Sequence, residues 1–252
     1  MTIDVPEWAG QIAADLPYPL VFATVSGAHL YGFASVDSDL DLRAAHVLPA
    51  AEVVGLRTGP ETLQSAGVRD GVELDVVSHD LLKFARLLNS RNGYVLEQLL
   101  SPLVVVTTPV HAALVELAPG LTTRHHAHHY LGFAATQEKL FERTGELKPA
   151  LYLLRVLLTG IHLMHTGEVV ADLRSLNGPA YVPELIAAKR AAEHGPFPAD
   201  VRTALAADVP RLRAELEAAR DASRLPDKPG PAAVDALHDL VVRVRLSGGQ
   251  AN

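Results

Sequence analysis

The chain has 252 residues, 48% of them hydrophobic, a formal net charge of −7 and no cysteine. This length and composition suit one large domain or two modest ones and exclude wholesale disorder, while the absence of cysteine excludes a disulfide framework, a thiolate zinc site and a cysteine nucleophile. The charge is uneven, −8 over residues 1–120 and +1 over residues 121–252; an acidic first part suits a divalent-metal site, and neither part has the broad basic patch of a long-duplex binder.

The first sixteen residues carry acids and no basic leader region, so a signal peptide is not expected. Residues 7–16 have weak helical periodicity and stop at Pro17 and Pro19. Leu20 to Val25 is short and apolar, a buried strand that ends in the turn signal Ser26-Gly27. Ala28 to Ala34 is expected to form a short helix or turn, and Asp37 lies in the loop after it. Leu40, Leu42, Ala44 and Val47 mark a second strand, with Asp39, Asp41 and Arg43 alternating onto its other face. Val72 to Val77 is a third strand, on which Glu73 and Asp75 share one face.

A helix is predicted over Asp80 to Leu88, a break at Asn92-Gly93, a second helix over Tyr94 to Leu100 and a short strand at Leu103 to Val106. From there the pattern is helical to the end, in segments 110–118, 124–142, 150–166, 182–193, 199–220 and 231–246. Pro149 suits a first helical turn and Gly167 a C-terminal cap. The most apolar stretch, Ala150 to Met164, contains Arg155 and His162 and is shorter than the roughly 20 residues of a membrane span. A cytoplasmic protein with no membrane partner is expected. The reading is an α/β (α+β) chain, with a small mixed sheet and its helices over residues 1–120 and a helical domain over 121–252.

The chemistry concentrates where a strand ends in Gly27, the next carries Asp39-x-Asp41, and a later one carries Asp75. Carboxylates at i and i+2 of a strand point the same way. At about 4 Å such like charges repel by about 4 kcal/mol at an effective dielectric of 20, so a proton, an arginine or a divalent cation must offset them. Carboxylate oxygens are hard ligands that suit Mg²⁺, which keeps positions for water and substrate phosphates. A third aspartate can share the metal and serve as general base. A glycine lets backbone approach a triphosphate. Arg43 continues the Asp39/Asp41 face, as partner of a carboxylate or of a substrate phosphate.

The segment SGAHLYGFASVDSDLDLR resembles the nucleotidyltransferase signature of the DNA polymerase beta superfamily, in which Gly-Ser precedes Asp-x-Asp by roughly ten residues. With VELDVVSHDLLKFARLLNSRNGYVLEQLLSP, HHYLGFA and LKPALYLLRVLLTGIHL, the chain is similar to the RNA-repair-pathway-associated nucleotidyltransferases over roughly residues 20–165. The resemblance implies a polymerase-beta-like fold and Mg²⁺ or Mn²⁺ held by Asp39, Asp41 and Asp75. It also implies a nucleoside triphosphate cradled at Gly27 and Ala28. The signature's serine is Ala28 here, which removes a phosphate-facing hydroxyl, and the adjacent Ser26 is the candidate substitute.

Lys148, Tyr152 and Arg155 lie at i, i+4 and i+7 of one helix. In the resemblance they offer cations and a tyrosine to the nucleotide; the alternative is an amphipathic core helix. Arg155 and His162 also carry the spacing of a helical ribonuclease motif. His125, His126, His128 and His129 read as a solvated helix start rather than a metal site, and His29 falls in the phosphate turn. The implied reaction moves a nucleotidyl group from an NTP to a hydroxyl of a short RNA end, a protein or a small molecule, with the RNA end following from the resemblance alone. The alternatives are an antitoxin-like transferase that modifies a partner protein and a nucleotide binder without turnover.

Overall fold

The computed structural model describes residues 6–191 and 197–247. The elements run α1 (Glu7–Ala14), β1 (Leu20–Val25), α2 (Gly27–Leu30), β2 (Leu40–His46), α3 (Ala51–Val54), β3 (Thr62–Arg69), β4 (Val72–Asp80), α4 (Leu81–Leu88), α5 (Gly93–Leu99), β5 (Val104–Val106), α6 (Pro109–Leu121), α7 (Ala127–Thr144), α8 (Leu147–Thr166), α9 (Val182–Ala191), α10 (Arg202–Ala222) and α11 (Pro231–Leu246). Short 3-10 turns at Arg124–His126 and Leu173–Ser175 complete them. The last two residues of the predicted helix 182–193 lie outside the described residues.

The five strands form one mixed sheet in the order β3-β4-β2-β1-β5, as expected for the α+β class. β2 and β4 run parallel and every other neighbouring pair antiparallel. A parallel pair needs a crossover, and here α3 and β3 supply it. β3 escaped the sequence pattern because most of its side chains are exposed on both faces, so no apolar alternation marks it. Its trace is Asp70-Gly71: both residues take positive φ, 51° and 80°, as a two-residue hairpin turn requires. β4 is longer than predicted, running to Asp80, which caps α4 by accepting from the Leu82 amide.

The chain divides into two compact units that differ from a simple split at residues 120 and 121. The first holds residues 1–27, 39–121 and 228–252; the second holds 28–38 and 122–227. In the first unit, α11 returns to the sheet because Arg245 enters it. Both guanidinium nitrogens reach the Asp80 carboxylate, at 3.0 and 2.8 Å, and Nη1 also donates to the Leu48 carbonyl. Asp80 additionally accepts from the Leu48 amide, so the buried pair is fully engaged.

In the second unit α8 is the core helix. It spans 20 residues, longer than the apolar stretch suggested, and is long and apolar enough to cross a membrane, yet 83% of its apolar window is buried inside the protein. Pro149 does sit in its first turn, and Gly167 closes it with a φ of 79°. Gly160 gives it close neighbours: a Cβ there would meet Leu216 on α10 and Tyr130 on α7 at 3.0 Å.

Candidate active site

The antiparallel ladder of β1 and β2 pairs Val25 with Leu42, and one further bond, from the Ser26 amide to the Asp41 carbonyl at 2.9 Å, carries the ladder past the end of β1. The next residue, Gly27, therefore lies against Asp41. Its φ is +63°, and a Cβ there would sit 1.8 Å from Asp41 Oδ2. Only glycine satisfies both the left-handed backbone and that approach.

The parallel ladder of β2 and β4 pairs Asp41 with Asp75 directly across the strands. Both carboxylates turn onto one nitrogen of Arg43: Nη2 donates to Asp41 Oδ1 at 2.6 Å and to Asp75 Oδ2 at 2.8 Å. Nη1 donates to the carbonyls of Asp75 and Leu42 at 2.9 and 3.2 Å, and Nε to the Tyr94 hydroxyl at 2.9 Å. Tyr94 is placed by the start of α5, where Asn92 Oδ1 accepts from the Tyr94 and Val95 amides. A guanidinium has five N–H donors, and five protein acceptors take them. Burial works against the charge on Arg43, which is 7% exposed, but Tyr94, Asp41 and Asp75 outweigh it and hold the guanidinium above its ordinary range. Arg43 is thus the partner of the carboxylates and has no donor left for a substrate phosphate.

Asp39 lies one residue ahead of β2, outside the paired register that begins at Leu40 and Leu74. Among the described residues no three His, Asp or Glu side chains form a metal-holding group. Asp39, Asp41 and Asp75 are therefore not assembled as a ready three-carboxylate site; Asp41 and Asp75 meet on an arginine instead. Their donor chemistry still fits Mg²⁺ or Mn²⁺, because a hard cation is commonly held by one or two carboxylates plus substrate phosphates.

Ser26 does not replace the missing serine. Its amide is committed to Asp41, and its hydroxyl is fully buried without a hydrogen-bond partner. Glu73 is exposed, in register with Val68, and Asp37 is in an exposed turn.

The remaining candidates belong to the second unit, where residues 28–38 are seated by helices. Ala28 is buried, and its carbonyl accepts from the Phe33 amide. Arg155 is buried with its guanidinium 3.8 Å above the centre of the Tyr31 ring. Tyr152 meets the rings of Tyr31 and Phe33 edge-on, at 5.5 and 5.4 Å. The Leu173 amide donates to the Tyr31 carbonyl, Arg190 to the Gly32 carbonyl and Lys189 to the Ser35 hydroxyl. So Tyr152 and Arg155 hold the signature's own loop, while Lys148 is half-buried one turn earlier. Arg155, which the ribonuclease spacing pairs with His162, is buried against the Tyr31 ring. The histidine run is solvated only in part: His128 is exposed and His125 half-buried, but His126 is buried on Thr123, and burial, with Arg155 and His126 nearby, pushes His129 down to about 4. The ring nitrogens of His29 are also buried. Tyr94, Tyr31 and the Asp80–Arg245 pair went unnoticed in the sequence.

The profile of the RNA repair pathway DNA polymerase beta family matches residues 3–243. The chain belongs to that family. An uncharacterised protein of Methanocaldococcus jannaschii is similar to it, with 30% identity over 157 residues, 62% of this chain and 64% of its own. The match thus spans just under two thirds of that relative. A nucleotidyltransferase-like protein from Exiguobacterium sibiricum aligns over 97% of this chain and 75% of its own, with 12% identity and a TM-score of 0.32.

Proposed function

We propose that this family member is a divalent-metal-dependent nucleotidyltransferase that moves a nucleotidyl group from an NTP to a hydroxyl, with an RNA 3′ end as the acceptor. The observation that carries the reading is the pairing of Asp41 with Asp75 across parallel strands beside Gly27, which has no room for a side chain. The RNA acceptor rests on the family alone.

Asp41, with Asp39 two residues earlier, would hold Mg²⁺ or Mn²⁺, and Asp75 would complete its protein ligands. The cation supplies charge neutralisation on the phosphates and lowers the proton affinity of a bound hydroxyl. Asp75 has the more exposed side chain of the dyad, 49% against 23% for Asp41, so it is the one that meets the acceptor. Its Oδ2 stays on Arg43, which leaves Oδ1 to take the proton. The acceptor oxygen attacks the α-phosphorus, the bond to pyrophosphate breaks, and the proton passes to Asp75.

One observation favours a second reading, a nucleotide binder without turnover: Ala28 lacks the signature hydroxyl and Ser26 cannot supply it. Labelled NTPs with Mg²⁺ or Mn²⁺, offered to RNA, protein and small-molecule hydroxyls, decide between them. Label transfer lost in Asp39→Ala/Asp41→Ala supports the enzyme. Calorimetric binding of Mg-ATP without transfer supports the binder. Transfer that persists in the double variant refutes the mechanism.

A further inference from the structure

Two carboxylates held side by side need a counter-charge at all times, not only while a substrate is bound. In this protein the counter-charge is built into the chain. Arg43 is on the same strand as Asp41, two residues on, and its guanidinium takes one oxygen from each carboxylate. Backbone carbonyls and the Tyr94 hydroxyl take its other donors. Such a seat is unlike a surface ion pair, whose partners are flexible and solvated. It keeps the dyad in register with no other ion present, and it places a fixed positive charge against the oxygens that a metal would use.

We propose that Arg43 is a resident counter-ion that keeps the dyad assembled and suppresses its affinity for divalent cations, so that the metal loads together with the nucleotide rather than ahead of it. This rests on the metal-dependent transferase reading above. Arg43 acts through Asp41 and Asp75 as a positioning residue. The nucleotide's phosphates supply the extra negative charge that makes a divalent cation favourable beside a guanidinium.

The test is Mn²⁺ binding to the full chain, followed by electron paramagnetic resonance, with and without a non-hydrolysable NTP analogue. Wild type is expected to bind Mn²⁺ weakly alone and tightly with the analogue. Arg43→Gln, which removes the positive charge seated on the two carboxylates, is expected to tighten Mn²⁺ binding without nucleotide by at least about tenfold. Arg43→Lys, which keeps the charge, stays within about threefold of wild type. A merely structural arginine predicts the opposite, since its loss would splay the carboxylates and weaken binding. Unchanged or weaker Mn²⁺ binding by Arg43→Gln overturns the proposal. Should that variant fail to fold, Tyr94→Phe decides: released from its Nε anchor, the guanidinium competes less well and Mn²⁺ binds tighter, whereas no tightening overturns the proposal. Asp41→Asn separates the two levels. If wild type binds Mn²⁺ in neither condition, or Asp41→Asn binds it as well as wild type does, the metal reading itself falls. If only the Arg43 effect is missing, the metal reading stands without this inference.

Discussion

Asp41 and Asp75 are opposite partners on parallel strands whose carboxylates share a single guanidinium nitrogen, at 2.6 and 2.8 Å. The two side chains are thereby one hydrogen-bonded unit, and neither can be changed without unbalancing the other. Asp41→Asn or Asp75→Asn keeps the shape and removes a charge that balances the buried Arg43 guanidinium. Each is expected to lower transfer by at least about 100-fold and to cost about 2 kcal/mol of stability. Label-transfer assays and urea unfolding check the two effects separately.

Gly27→Ala strikes the same unit from the turn. The backbone there is left-handed, which costs a non-glycine residue about 1–2 kcal/mol, and the new Cβ would overlap Asp41 Oδ2. The expected outcome is a folded but destabilised protein in which Asp41 is displaced and transfer is lost. Thermal unfolding combined with Mn²⁺ binding measures both; unchanged binding would contradict the geometry.

Arg245→Met tests the staple between α11 and the sheet. Removing one member of a buried ion pair leaves Asp80 charged and uncompensated, at a cost of about 3–5 kcal/mol. Burial alone would raise the Asp80 carboxyl, but Arg245, with the Leu48 and Leu82 amides, holds it below the usual carboxylate range. Its contribution is therefore present above the unfolded-state value, about 3.9, and fades as the pH falls through the lower folded-state value. Acid-unfolding curves should show wild type losing this stability at low pH and Arg245→Met lacking it throughout.

His129 gives a second pH dependence at milder acidity. Burial first, then the nearby positive charge of Arg155, pushes it down to about 4, against about 6.5 in an unfolded chain. The unfolded state binds the proton first, so stability declines as the pH drops from about 6.5 toward 4. His129→Gln should flatten that decline, as read from melting temperatures across this range. An unchanged slope would assign the effect to His79, which burial and Lys83 also push down to about 4.

Loosening the Tyr31 seat checks the role given to Arg155. Tyr31→Ala removes a buried ring that covers the guanidinium and packs on Tyr152, a loss of about 3–5 kcal/mol by analogy with other buried aromatics. Tyr31→Phe keeps the ring and should stay within about 1 kcal/mol of wild type. Chemical denaturation compares them.

The sheet's central strands were legible because burial writes itself into apolar runs: β1 and β2 fall where Leu20 to Val25 and Leu40 to Val47 put them. The strand positions of Asp41 and Asp75 were legible for the same reason, since they lie on such runs, whereas Asp39, expected on the same strand, falls one residue ahead of it. β3 was not, because a strand exposed on both faces needs no apolar code, although Asp70-Gly71 announced its hairpin. Nor was the Arg43 seat readable in full. Its tyrosine lies 51 residues away on a helix whose own pattern says nothing about hydroxyl partners. Ala28 to Ala34 read as a short helix or turn beside the phosphate cradle, while side chains that hold the 28–38 segment come from helices more than a hundred residues later.

The reach of Arg245 has a consequence for how the protein is made. Its carboxylate partner lies 165 residues upstream, so the sheet that carries the aspartates lacks this staple until Arg245 itself has left the ribosome. Contacts of such separation form late, even though closing a long loop adds little to the thermodynamic cost. A nascent chain that already displays Asp41 and Asp75 thus still lacks this staple, which arrives only with α11.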